Sequence, residues 1–215
     1  CIAAGCRRIL AVGGDLSTER LILAYTNGIF PWPHKNAPLM WWSPDPRMVL
    51  FTNKFKVSHS LKQLIHSGKY TWTLDRDFET VIEKCASIPR RGQDDTWITR
   101  DMITAYIELH KAGYAHSVET RYEGKLVGGL YGVSIGRAFF GESMYHEMRD
   151  ASKFALYQLI RIIKAWDFEM IDAQQDTAHM RSLGAINIPR EEFMERLGQA
   201  IAHPSYIGNW NKYLI

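Results

Sequence analysis

Apolar residues fall three and four positions apart along several stretches of this chain, the period of a helix with one buried face. Leu21, Ile22, Ala24 and Tyr25 follow Ser17, a residue suited to an N-cap, and Glu19 stands in the first turn, so a helix is expected to reach about Gly28. Leu61, Leu64 and Ile65, between Ser58 and Gly68, predict a second helix. Phe78, Val81, Ile82 and Cys85 predict a third, and Met102, Ile103, Tyr106 and Leu109, between Thr99 and Gly113, a fourth; the loop Pro89 to Trp97 lies between them. Ala151 to Trp166 is longer and more apolar. Thr177 to Leu183, closed by Gly184, and Arg190 to Ala202, opened after Pro189, end the helical pattern.

The period changes to two elsewhere. Tyr70 to Leu74, Ala115 to Thr120, Leu126 to Val133 and Arg137 to Gly141 read as strands, the last three joined at Glu123-Gly124 and Gly136 into an antiparallel meander. Phe168 to Asp172, after the long helix, is a strand expected beside Arg137 to Gly141. Ile29 to Arg47 holds Pro31, Pro33, Pro38, Pro44 and Pro46 with Trp32, Trp41 and Trp42, which opposes helix and favours an extended, aromatic-lined connection. The expected fold is α+β: a small N-terminal domain over residues 1–50, then residues 51–215 as an acetyltransferase-like (GNAT-type) domain with a mixed, mainly antiparallel sheet flanked by helices.

With 46% of 215 residues hydrophobic, the chain suits a packed core rather than disorder. Gln158 and Arg161 interrupt the most apolar stretch, Phe154 to Ile163, well short of the roughly 20 residues of a membrane span. Cys1 to Arg8 has no apolar run of the kind a secretory signal needs, so a cytoplasmic protein is expected. Cys1, Cys6 and Cys85 form no CxxC pair, the histidines are scattered, and Gly13-Gly14 and Gly128-Gly129 lack a phosphate-loop context; no metal or cofactor is expected. A net charge of +3 leaves only local clusters, Arg7-Arg8, Lys54-Phe-Lys56 and Arg90-Arg91, to meet a polyanion.

Two strand ends carry candidate chemistry. Asp172 and Gln174 share a face where Phe168 to Asp172 closes, either as a catalytic edge or as a turn cap beside a solvated amide. Glu142, after Phe139-Phe140-Gly141, belongs at the rim of an apolar cavity, to meet a cationic substrate or to pair with Arg149 or Lys153. The tryptophans of the Pro-rich connection suit base stacking, with Trp41 or Trp42 stapling the small domain to the large one. His116 and Ser117 point to opposite faces of a strand, so they are no base and nucleophile pair.

The motifs Gly13-Gly-Asp-Leu16, Gly28-Ile-Phe-Pro-Trp32, Trp41-Trp-Ser-Pro-Asp-Pro-Arg47, Thr96-Trp-Ile-Thr99, Gly113-Tyr-Ala-His-Ser117, Gly128-Gly-Leu-Tyr-Gly132 and Phe140-Gly-Glu-Ser-Met144 occur in one order. Ala151-Ser-Lys153, Ile171-Asp-Ala-Gln174, Ser182-Leu-Gly-Ala185 and Ile188-Pro-Arg190 extend them, over roughly residues 9 to 197. In these the chain resembles the leucyl/phenylalanyl-tRNA protein transferase family. The resemblance implies a monomeric enzyme that moves Leu, Phe or Met from aminoacyl-tRNA to the N-terminal Arg or Lys of an acceptor protein, marking it for degradation. It implies Asp172 and Gln174 as the catalytic pair and Glu142 as the acidic residue near the reacting groups. Trp32, Leu130, Phe139, Leu156, Leu159 and Ile171 match the pocket for the donor side chain, and Tyr25 and Trp97 match residues near the terminal adenosine. Cys6-Arg7-Arg8 replaces a Pro-Asn-Gly-like turn, which implies a truncated or altered N-terminus; Ala173 replaces a common Cys and is expected to face away from the pair.

On this reading Asp172 orients Gln174, whose amide oxygen accepts from the attacking amine. A rival is an acyl-CoA N-acetyltransferase of the same fold, which needs a glycine turn that Met148 to Lys153 does not supply. Another is a noncatalytic RNA- or peptide-binding module, which gives no reason for Asp172 and Gln174 at one strand end.

Overall fold

The computed structural model describes residues 9–33, 37–88 and 97–214. The clusters at Arg7-Arg8 and Arg90-Arg91, the turn at Cys6, and residues 89–96 of the predicted loop lie outside the described residues. Three short strands, β1 (Ile9–Val12), β2 (Phe30–Pro31) and β3 (Met40–Trp42), form an antiparallel sheet in the order β1-β3-β2. The connection expected to be merely extended is thus partly paired: Pro31 sits on an edge strand, where its missing N–H costs no ladder bond. Trp41 Nε1 donates to Gly13 O at 2.9 Å, and both Trp41 and Trp42 are buried.

A larger sheet has the order β10-β4-β9-β8-β7-β6-β5. Its members are β4 (Arg47–Phe51), β5 (Thr71–Leu74), β6 (Ala115–Tyr122), β7 (Lys125–Ile135), β8 (Ala138–His146), β9 (Met170–Gln174) and β10 (Ile186–Ile188). Every pair is antiparallel except β8 with β9, joined by the crossover through α5 (Ala151–Ala165). The mixed, mainly antiparallel α+β architecture is the one expected. β8 continues past Gly141, where the strand was expected to stop, because its ladder resumes beyond a bulge.

Side chains alternate across this sheet and give each face its own core. Phe140, Tyr131 and Val133 pack with α1 (Thr18–Thr26), α3 (Phe78–Ser87), α4 (Arg100–Lys111) and α7 (Arg190–Ile201); Phe139 and Leu130 pack with α5 and the C-terminal Trp210. Local chemistry fixes the helix starts. Ser58 accepts from Leu61 N–H before α2 (His59–His66), Thr99 from Met102 N–H before α4, and Thr177 from Met180 N–H before α6 (Ala178–Ser182). Ser17 occupies the cap of α1 but makes no capping bond; its hydroxyl donates instead to Asp15 at 2.6 Å.

Candidate active site

β8 and β9 are hydrogen-bonded neighbours only at Phe139 with Ile171 and Phe140 with Asp172. Beyond that point Glu142 is the extra residue of a β-bulge: Tyr131 opposes Ser143 while Gly132 opposes Gly141. The two strand ends separate, and a cavity of about 530 Å³ opens there. Its apolar wall comes from Trp32, Trp97, Leu130, Phe139, Leu156, Leu159 and Ile171, with Met144 and Met180 added, and its polar part includes Glu142, Ser143, Gln174 and Gln175. Every residue assigned above to the donor pocket therefore lines one cavity, together with Trp97. The Trp32 ring meets those of Trp42 and Trp97 edge-on, with centroids 6.0 and 6.5 Å away.

Glu142 meets polar groups from three elements. Tyr25 of α1 donates to Oε1 at 2.7 Å and Gln174 Nε2 to Oε1 at 2.7 Å; the Tyr106 hydroxyl of α4 touches that of Tyr25 and stands 3.3 Å from Oε2, and its single proton serves one of these two contacts. Burial pushes the Glu142 carboxyl up to about 7, against the lowering effect of the bonds from Tyr25 and Gln174. Burial likewise pushes Tyr25 and Tyr106 well up, with the Glu142 charge adding to it, so both remain proton donors. Arg149 and Lys153, considered as partners of Glu142, both bind Asp150 instead. Because a carboxylate only accepts, Gln174 turns its NH₂ to Glu142 and keeps Oε1 as an acceptor.

Two expected arrangements are corrected. Asp172 does not hold the Gln174 side chain: its carboxylate takes a paired contact from Arg47, and Oδ1 accepts the Gln174 backbone N–H at 2.9 Å. Gln174 itself sits in the left-handed region at φ 62°, so the strand ends there and the residue reaches the cavity. Asp172 is not on the cavity wall. Tyr25, placed by resemblance near the adenosine, is fully buried and also absent from that wall; its ring packs on Phe140 and its hydroxyl reaches Glu142. Ala173 lies on the α5 side and lines the cavity.

Arg47 and Tyr106, and the wall residues Ser143, Met144, Gln175 and Met180, are not connected with the site by sequence reasoning. Among the described residues, no group of three or more His, Cys, Asp or Glu is placed to hold a metal, and no helix is long and apolar enough to cross a membrane.

The chain is 54% identical over 202 residues to the leucyl/phenylalanyl-tRNA–protein transferase of Nitrosospira multiformis, covering 94% of this chain and 87% of that protein. It is 51% identical to the protein of the same name from Solidesulfovibrio magneticus, over 94% and 82%. Among solved structures it is similar to L-PGS from Bacillus licheniformis, at 12% identity over 74% of this chain and 51% of that one, TM-score 0.41. An aminoglycoside acetyltransferase from an uncultured soil metagenomic sample matches at 12% identity over 54% and 83%, TM-score 0.40. Models of the leucyl/phenylalanyl-tRNA protein transferase and of its N-terminal domain match residues 49–198 and 14–45, and with relatives this similar along most of its length the chain belongs to that family.

Proposed function

We propose that this protein transfers Leu, Phe or Met from aminoacyl-tRNA to the N-terminal Arg or Lys of an acceptor protein, as a cytoplasmic monomer whose products are marked for degradation. The observation that supports this reading best is the cavity itself: an apolar slot whose polar end is a glutamine amide held by a buried glutamate. Trp32, Leu130, Phe139, Leu156, Leu159 and Ile171 receive the donor side chain. Trp97, beside Trp32, receives the terminal adenosine, where aromatic stacking contributes about 1–3 kcal/mol per base.

The donor is an ester already activated toward amines, so aligning the two reactants supplies most of the acceleration, on the order of 7–11 kcal/mol. An α-amine with a pKa of about 7.7–8.0 is partly neutral near pH 7 and attacks without a strong base. The amine nitrogen forms a bond to the ester carbonyl carbon while Gln174 Oε1 accepts one of its N–H groups. The ribose oxygen leaves as the intermediate collapses, and the proton lost by the amine reaches that oxygen through water. Glu142, in its carboxylate form, polarises the Gln174 amide and attracts the cationic acceptor; Tyr25 acts through Glu142, and Asp172 acts through the backbone of Gln174.

Single-turnover transfer of labelled Phe from Phe-tRNA to a peptide beginning with Arg tests the reading. Transfer without added metal or nucleotide is expected, with donor affinity falling as salt rises because phosphate contacts release counterions. Failure to transfer, together with acetylation of the same peptide from acetyl-CoA, would favour the acetyltransferase instead.

A further inference from the structure

Behind the cavity, and off its wall, lies a fully buried arginine that no role above requires. Arg47, the first residue of β4, donates from Nε to Asp172 Oδ1 at 2.8 Å and from Nη2 to Oδ2 at 2.7 Å. Its guanidinium carbon stands 4.9 Å from the ring centre of Phe30 in β2 and 4.5 Å from that of Phe193 in α7. The small sheet, the last long helix and the large sheet thus meet at one planar cation. A buried ion pair of this kind adds little stability beyond what apolar side chains of the same volume provide, so its cost in desolvation calls for another explanation.

The explanation lies in what the carboxylate does next. Asp172 Oδ1 accepts the N–H of Gln174, a residue whose left-handed conformation is disfavoured without glycine and persists only where its surroundings over-determine it. The guanidinium fork fixes both Asp172 oxygens in one plane, which a lysine ammonium, a single point of charge, does not. Gln174 then delivers its amide to Glu142. We infer that Arg47 is a positioning residue for the transfer reaction: it locks Asp172, Asp172 locks the backbone of Gln174, and the Gln174 amide is thereby held at the reacting ester.

This inference rests on Gln174 acting as proposed, so Gln174→Ala is measured beside the Arg47 variants in single-turnover transfer from Phe-tRNA to an Arg-starting peptide. Arg47→Lys, shown folded by circular dichroism, is expected to lose about 10- to 100-fold in rate at saturating donor, with donor affinity within about threefold of the parent, as for a small misplacement of a reacting group. Arg47→Gly is expected to lose more and to recover about tenfold with millimolar guanidinium, since the space between the two rings and Asp172 is shaped for that ion. Arg190→Gly, whose guanidinium bonds Ser43 rather than Asp172, is the control and is expected to show no such recovery. Parental turnover in folded Arg47→Lys, a loss confined to donor affinity, or equal guanidinium effects on the Arg47 and Arg190 variants would each overturn the inference. If Arg47→Gly does not fold, Arg47→Lys decides alone. Normal turnover in Gln174→Ala would instead remove the site reading beneath it.

Discussion

Two buried carboxylate networks in this molecule use similar side chains to different ends. At the cavity, Glu142 is contacted by Tyr25, Tyr106 and Gln174. Near the C-terminus, Asp75 accepts from the backbone N–H groups of Ser117 and Trp210 and pairs with His116 Nδ1 at 3.0 Å, while the neighbouring Glu119 accepts from Ser117 and Thr73. Burial raises the Glu119 carboxyl as it raises that of Glu142, and it pushes His116 down. A perturbed acid therefore does not by itself mark a reaction centre. The difference is access: the Trp210 ring lies over His116 at 4.0 Å and closes that network, whereas the bulge at Glu142 opens the other onto a cavity.

The contrast breaks most sharply if the closed network turns out to govern activity. Asp75→Ala strands His116 and two backbone donors, and should destabilise the fold by about 1–3 kcal/mol for each group left unsatisfied, seen as a lower urea midpoint, while leaving turnover per folded molecule unchanged. His116 adds a pH signature. Its folded-state pKa lies below the ordinary value of 6.5, so the unfolded chain binds a proton that the folded chain refuses, and this contribution to stability is lost as pH falls below that value.

At the open network the expected loss is chemical. Gln174→Ala should lower the single-turnover rate about 100-fold, as for removal of one positioned polar group, with donor binding retained. The cavity wall should set selectivity more gently: Leu159→Phe fills part of the slot, and kcat/KM for Phe-tRNA should fall about tenfold relative to Leu-tRNA, read from parallel assays with the two donors.

Legibility in the sequence followed the range of the interactions. The capped helices after Ser58, Thr99 and Thr177, the long α5 and the meander are specified by neighbours in the chain, and their periods identified them. β4 was not visible: Met48 to Phe51 is a short apolar run after a proline, and its partners in β9 and β10 lie more than a hundred residues away. Arg47 shares that fate, since its ion pair to Asp172 spans 125 residues and nothing local distinguishes it from a solvated arginine. Tyr106 fits the apolar stripe of α4, and nothing local marks its hydroxyl as a partner of Glu142. Gln174 is legible as a polar residue at a strand end and Glu142 as an acid after an aromatic run, though its strand runs on past it; the donor-pocket residues come through family resemblance, and spacing alone does not gather them.

In the proposed mechanism, the ionisation of Glu142 controls the amide that meets the amine. The pH dependence of the single-turnover rate tests it most directly, compared between the parent protein and Glu142→Gln. Because the folded carboxyl titrates near 7, the parental rate should fall as pH drops through that value, by about tenfold per further unit, beyond the loss due to protonation of the acceptor amine. In Glu142→Gln the inflection near 7 should vanish, leaving only the amine's own titration at a lower overall rate. An unchanged rate and pH profile in that variant would rule out this role for Glu142.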